Sequence, residues 1–189
     1  MRADDRFNIR RFDCSEDRKR ALTEAKEGVA QSEANGPFYE DMKVGDKFRH
    51  RLGRTLTDAD NIWFSLLTCN TNQIHFNQDY VARNFSREPF RGRLVVNSLL
   101  VFSIVLGLST EDTSKNGIML GVKELNVKAP TFAGDTIYAE TTIIDKRESK
   151  SHESMGIVTV ETSGFNQTGQ KVMEFQRTFM ILKAGRQWE

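Results

Sequence analysis

Asn70, Asn72 and His75 lie within Leu66-Leu67-Thr68-Cys69-Asn70-Thr71-Asn72-Gln73-Ile74-His75-Phe76-Asn77, and their types suit proton chemistry. An imidazole has an ordinary pKa of about 6.5, so His75 can take up and return a proton around neutrality. Amides do not titrate in that range, but their carbonyl and NH2 groups can hold a water or orient a ring. The cluster closes a helix-like apolar stretch. Polar groups placed there must be bonded or line a cavity, since burying each one unpaired costs about 1–3 kcal/mol. Asn70 and Asn72 have a second reading as caps of the helix C-terminus.

The elements that would position this cluster follow from hydrophobic patterning. Lys47 to Gly53 places Phe48, His50 and Leu52 on one side of a predicted strand. Thr57 is a predicted N-cap, with Asp58 and Asp60 in the first turn, where negative charge meets the positive end of the helix dipole. Ile62, Trp63, Leu66 and Leu67 then give that helix one expected buried face. Asp79 to Asn84 fits a further helical turn, and Arg87 to Arg93 reads as a Pro- and Gly-punctuated loop. From Asn97 to Ser109 the chain is apolar on every face, which predicts a helix enclosed on all sides. Four strands follow, at Ile118 to Lys128, Thr136 to Lys146, Gly156 to Phe165 and Lys171 to Lys183. Charged or polar turns between the last three predict an antiparallel meander, and the whole order predicts the α+β class.

The 189 residues suit one domain with a tail. Residues 1–36 are rich in charge and end at Asn35-Gly36, a composition too polar for its own core, so they are expected to form an arm or short helix. The expected domain occupies residues 37–185. Lys and Arg number 27 against 26 Asp and Glu, which excludes a global field drawing the chain to nucleic acid or an anionic membrane. The longest apolar run, Leu99 to Leu108, is too short to span a bilayer. Cys14 and Cys69 sit in no disulfide or zinc spacing, and Cys69 is expected to be a small core residue. A soluble cytoplasmic protein with no metal is the expectation. His50 and His152 are read as structural.

Three segments together carry a family resemblance. Asn70-Thr71-Asn72-Gln73-Ile74-His75 resembles the D-x-N-x-x-H signature of MaoC-like, R-specific enoyl-CoA hydratases. Phe90 to Leu99 is similar to that family's Gly-rich loop leading into a central helix, and Ala129-Pro130-Thr131-Phe132-Ala133-Gly134-Asp135-Thr136 to its P-V-x-x-G-D-T strand entry. The turn Asp145 to Ser151, with Gly156 to Val160, is similar to a subgroup related to mesaconyl-CoA hydratase and β-methylmalyl-CoA dehydratase. Two departures stand out: Asn70 replaces the signature aspartate, and Asn97-Ser98 replaces the usual His-Gly.

The resemblance implies a single hot-dog fold, an antiparallel sheet wrapped around a long buried helix, assembled as a homodimer or higher oligomer with sites near the subunit interface. It implies addition or removal of water across the α,β double bond of a small enoyl-CoA thioester, branched or dicarboxylic. His75 would be the acid and base and Asn70 would position the water. Asn72, Asn97, Ser98 and Arg93 would bind substrate, with the thioester oxygen at Ser98. Arg83, Arg87, Arg91 and Arg93 are candidates for CoA phosphates or a substrate carboxylate. No cofactor is implied beyond the CoA of the substrate. The rival readings are a hot-dog acyl-CoA thioesterase and a non-catalytic acyl-CoA-binding module.

Overall fold

Residues 36 to 188 are described by the computed structural model, and the expected N-terminal arm lies outside them apart from Gly36. Period-two alternation drives the architecture. In β6 (Lys171–Leu182), Met173, Phe175, Phe179 and Ile181 are buried, and in β5 (Met155–Phe165) so are Val158, Val160 and Thr162. β4 (Thr136–Glu148) adds Ile137, Ala139, Thr141 and Ile143 to the same face. With β1 (Lys47–Arg49) and β3 (Gly117–Val127) these strands form an antiparallel sheet in the order β1-β4-β5-β6-β3, and β2 (Arg54–Thr55) pairs with β4. The four long strands fall within two residues of their predicted limits. The expected strand at Lys47 to Gly53 is shorter, and it releases Leu52 to solvent while His50 stays buried.

Three α-helices cover the site end: α1 (Asp58–Leu67), α2 (Gln78–Asn84) and α3 (Ser98–Thr113). Val101 and Val105 of α3 pack with Leu56, Ile137, Ala139, Val172, Met173 and Phe175 to make the main core. The helix and sheet approach closely at Gly164, where an added Cβ would stand 2.6 Å from a Val105 methyl carbon. A second core joins Tyr39 and Met42 to Ile143, Val158, Val160, Phe179 and Ile181. A sheet with a long helix packed along its buried face is the hot-dog arrangement expected from the sequence.

Two expectations about the helices are corrected. On α3 only Val101, Val105, Ser109 and Thr113 are buried, at i, i+4 spacing, while Leu99 is 55% exposed. One sheet covers one stripe of a helix, so its other apolar flanks stay uncovered within a single chain. On α1 the expected face is reversed: Trp63, Leu66 and Leu67 are exposed and Asn61 and Ser65 are buried. Backbone groups beneath α1 need polar partners, and that need decides which side turns inward.

Candidate active site

The local sequence sets α1 in place before any tertiary contact is needed. Thr57 accepts from the Asp60 N–H at 3.1 Å, and the Asp60 carboxylate accepts from the Thr57 N–H at 2.9 Å, a reciprocal capping box. Burial alone would raise the Asp60 pKa, but hydrogen bonds from Thr57 and the Arg54 guanidinium 2.7 Å away outweigh it and hold the carboxyl below its ordinary value. At the other end Cys69 takes a left-handed turn, φ 55°, and stands exposed rather than in the core as expected. The Asn70 N–H then closes on the Ser65 carbonyl at 2.8 Å.

Asn61, fully buried on the inner side of α1, ties three segments together. Its NH2 donates to the carbonyls of His75 at 2.8 Å and Val95 at 3.0 Å, and its Oδ1 accepts from the Asn97 N–H at 2.9 Å. Sequence reading missed this residue. The available signal was Asn61 and Ser65, polar and four apart, inside an otherwise apolar helix.

The clamp fixes the two parts of the candidate site against each other. His75 Nδ1 lies 2.9 Å from the Val95 carbonyl oxygen, which can only accept, so Nδ1 carries the proton and Nε2 keeps its lone pair. No described residue partners Nε2. Asn97 is the N-cap of α3: its Oδ1 accepts from the Leu99 N–H at 3.0 Å, and its NH2 reaches the buried Ser65 hydroxyl at 3.4 Å. Ser98 is the first helical residue, where an N–H has no acceptor inside the helix. His75 and Ser98 line one cavity of about 450 Å³, walled elsewhere mainly by apolar side chains such as Ile74, Phe90, Val101 and Met173. A helix N-terminus and an imidazole lining one largely apolar cavity can together stabilise a developing oxyanion while a proton moves.

The remaining expected site residues take other positions. Asn70 accepts the Asn72 N–H at 2.9 Å, and Asn72 accepts the Ile74 N–H at 3.3 Å to start a single 3₁₀ turn over Gln73–His75. Asn70, Asn72, Asn97 and Arg93 are not among the described residues lining the cavity. Arg93 donates to the Ala133 carbonyl at 3.0 Å and stacks 4.6 Å from the centre of the Phe132 ring. Arg83 pairs with Asp79 and Arg91 with Glu88, all four side chains largely exposed. None of the four expected arginines lines the cavity.

Comparison with known proteins places this geometry. A family model described as mesaconyl-CoA hydratase matches residues 17–187, so the match reaches into the segment expected to lie outside the domain. The mesaconyl-CoA hydratase of Cereibacter sphaeroides is 30% identical over 149 residues, covering 78% of this chain and 42% of that protein. The β-methylmalyl-CoA dehydratase of Chloroflexus aurantiacus is 31% identical over 149 residues, covering 78% of this chain and 41% of that protein. A crystal structure of a MaoC domain protein dehydratase from Chloroflexus aurantiacus J-10-fl superposes with a TM-score of 0.73 at 30% identity, over 82% of this chain and 43% of that one. The chain thus spans less than half the length of these relatives. Clamped signature turn, capped central helix and matched span agree, and the chain belongs to the mesaconyl-CoA hydratase family of MaoC-like proteins.

Proposed function

We propose that this chain forms the catalytic unit of an acyl-CoA hydratase or dehydratase that moves water across the α,β double bond of a small enoyl-CoA. The observation that carries the reading is His75, whose Nε2 is unpaired among the described residues, lining one largely apolar cavity together with Ser98 of the first turn of α3. In hydration, Nε2 takes a proton from water as the oxygen attacks the β-carbon. Electron density shifts to the thioester oxygen, where the Ser98 N–H meets the developing enolate. The imidazolium then returns its proton to the α-carbon, so a single ring serves as base and then acid. Asn70 acts through the turn: with its Oδ1 spent on the Asn72 N–H, it holds the loop carrying His75 and takes no proton. No cofactor is needed beyond the CoA of the substrate.

The acyl group in this reading is short and branched or dicarboxylic, as the names of the related enzymes suggest. A second copy of the chain completes the assembly. The support is unburied apolar surface, on α1 at Trp63, Leu66 and Leu67, and on the edge strand β3 at Ile118, Met119, Leu120 and Val127. Incubation with a panel of enoyl-CoA and 3-hydroxyacyl-CoA thioesters, read by mass spectrometry, tests the reaction. A gain or loss of one water is the expected result. Free CoA thiol without that mass change marks a thioesterase, and unchanged thioesters that still bind mark a binding module.

A further inference from the structure

Thr131 stands where the strand-entry pattern P-V-x-x-G-D-T has its valine, so this chain carries a hydroxyl where that pattern carries a methyl group. Its backbone is fixed: the Thr131 carbonyl accepts the Val96 N–H at 2.8 Å, and Phe132 forms an antiparallel bridge with Val95. That register sets Thr131 opposite Val96, and residues directly opposite share one face. Val96 packs in the main core with Val101, and Thr131, Val96 and Val101 all line the cavity. Val95, next along, carries the carbonyl that bonds the His75 ring. One short piece of backbone thus sets the imidazole and the hydroxyl on the same cavity.

The Thr131 hydroxyl is uncommitted. It bonds to no described residue, although the residue is only 3% exposed. Among the described residues, the fully enclosed side-chain polar atoms without a partner are Ser154 Oγ and Arg177 Nε. Thr131 Oγ1 is therefore not sealed in, and the space that the residue lines is the cavity. Lys128 borders the same cavity, but its ammonium pairs with Glu174 at 2.7 Å, and Asn70, expected to position the water, is absent from the lining.

We propose that Thr131 is a catalytic residue that holds the oxygen added at the β-carbon. The proposal rests on the hydratase reading above and names a further residue for that reaction. A water that gives one proton to His75 Nε2 while its oxygen bonds to the β-carbon keeps its second proton, and in an apolar enclosure that O–H needs an acceptor. Thr131 Oγ1 accepts it, from the water before attack and from the 3-hydroxyl afterwards, and itself neither gains nor loses a proton. In dehydration the same bond holds the 3-hydroxyl until the imidazolium protonates it and it leaves as water.

The test is hydration kinetics on whichever of crotonyl-CoA and mesaconyl-CoA the wild-type protein hydrates faster. Thr131→Val keeps the side-chain shape and should lower kcat about 10-fold with KM within about 2-fold, the size of one hydrogen bond, while Thr131→Ser keeps most of the rate. The urea midpoint of Thr131→Val should not fall, since the hydroxyl has no partner in the free protein to lose. A wild-type kcat in Thr131→Val, an equal loss in Thr131→Ser or a lowered midpoint would overturn the proposal. A second arm uses His75→Ala, with turnover suppressed, to compare binding of 3-hydroxybutyryl-CoA and butyryl-CoA. Adding Thr131→Val should cut the preference for the hydroxylated thioester about 10-fold. Equal weakening of both would put the hydroxyl on the thioester oxygen and overturn the proposal, as would no change. Failure of the hydratase reading shows separately, in the wild-type protein adding no water to either enoyl-CoA, and the proposal falls with it.

Discussion

The two ends of α3 each stand beside an imidazole, and the two differ in what is left over. At the α3 N-terminus, His75 lines a cavity with one ring nitrogen bonded to a backbone carbonyl and the other without a partner among the described residues. Towards the C-terminus, His50 is 3% exposed and both nitrogens are taken: Nδ1 by Asp112 at 2.7 Å and Nε2 by the Thr141 hydroxyl at 2.8 Å. Thr141 in turn meets the Thr162 hydroxyl at 3.1 Å. The order carboxylate, imidazole, hydroxyl is that of a nucleophilic triad, yet Thr141 is buried and its hydroxyl is bonded on both sides. Saturation makes the second cluster a fastening, whereas the first keeps one ring nitrogen without a partner among the described residues.

Arg177 completes the fastened end. It donates to Ser109 at 2.9 Å, Thr113 at 2.6 Å and Ser114 at 3.2 Å, which places positive charge at the negative end of α3. Burial pushes its pKa down to about 10, and its Nε has no partner among the described residues. The C-terminal end of the helix is thus pinned by polar contacts, while its N-terminal end is placed by Asn61.

The contrast between the two imidazoles can be broken by mutation. His75→Ala should lower hydration between about 100- and 10,000-fold with the thermal midpoint nearly unchanged, and a wild-type rate would remove the ring from the chemistry. Asn61→Ala should cost about 3 kcal/mol in denaturant unfolding, since it strands the His75 carbonyl and the Asn97 N–H and leaves the Val95 carbonyl with His75 Nδ1 alone, and should also slow turnover; stability within about 1 kcal/mol of wild type would refute the clamp. His50→Ala should do the reverse of His75→Ala, costing about 2 kcal/mol of stability while the folded fraction keeps its rate.

Smaller effects sharpen the picture. Asn70→Ala should reduce kcat about 10-fold, whereas Asn70→Asp, which keeps an acceptor for the Asn72 N–H, should restore most of it; equal loss in both would assign Asn70 a direct role. Asp60 has a lowered folded-state pKa, so its contribution is present above the ordinary carboxylate range of about 4 and is lost as pH falls through the lowered value. Thr57→Ala should therefore cost about 1 kcal/mol at neutral pH and less in acid, measured by urea unfolding across pH. A cost independent of pH would show that the capping box does not couple to that carboxyl.

Strands β3 to β6, the cap at Thr57 and the helix beginning at Asn97-Ser98 were legible because they follow from period and local hydrogen bonding, which the sequence carries directly. The orientation of α1 was not. Hydrophobic period ranks side chains by transfer from water, whereas Asn61 answers to backbone groups at positions 75, 95 and 97 and Ser65 to the side-chain amide of Asn97, all far along the chain. Patterning alone treats His50 and His75 as single imidazoles: only the motif around position 75 marks that ring as acid and base and leaves His50 structural, and the fold supplies their partners.

The partner that sets the His75 tautomer is the main-chain oxygen of Val95, an atom every amino acid possesses. No replacement at position 95 other than one that bends the backbone can delete it. Inherited variation can therefore detune this base only indirectly, by displacing the polypeptide that carries that oxygen, and the amide of Asn61 is where such drift would first be felt.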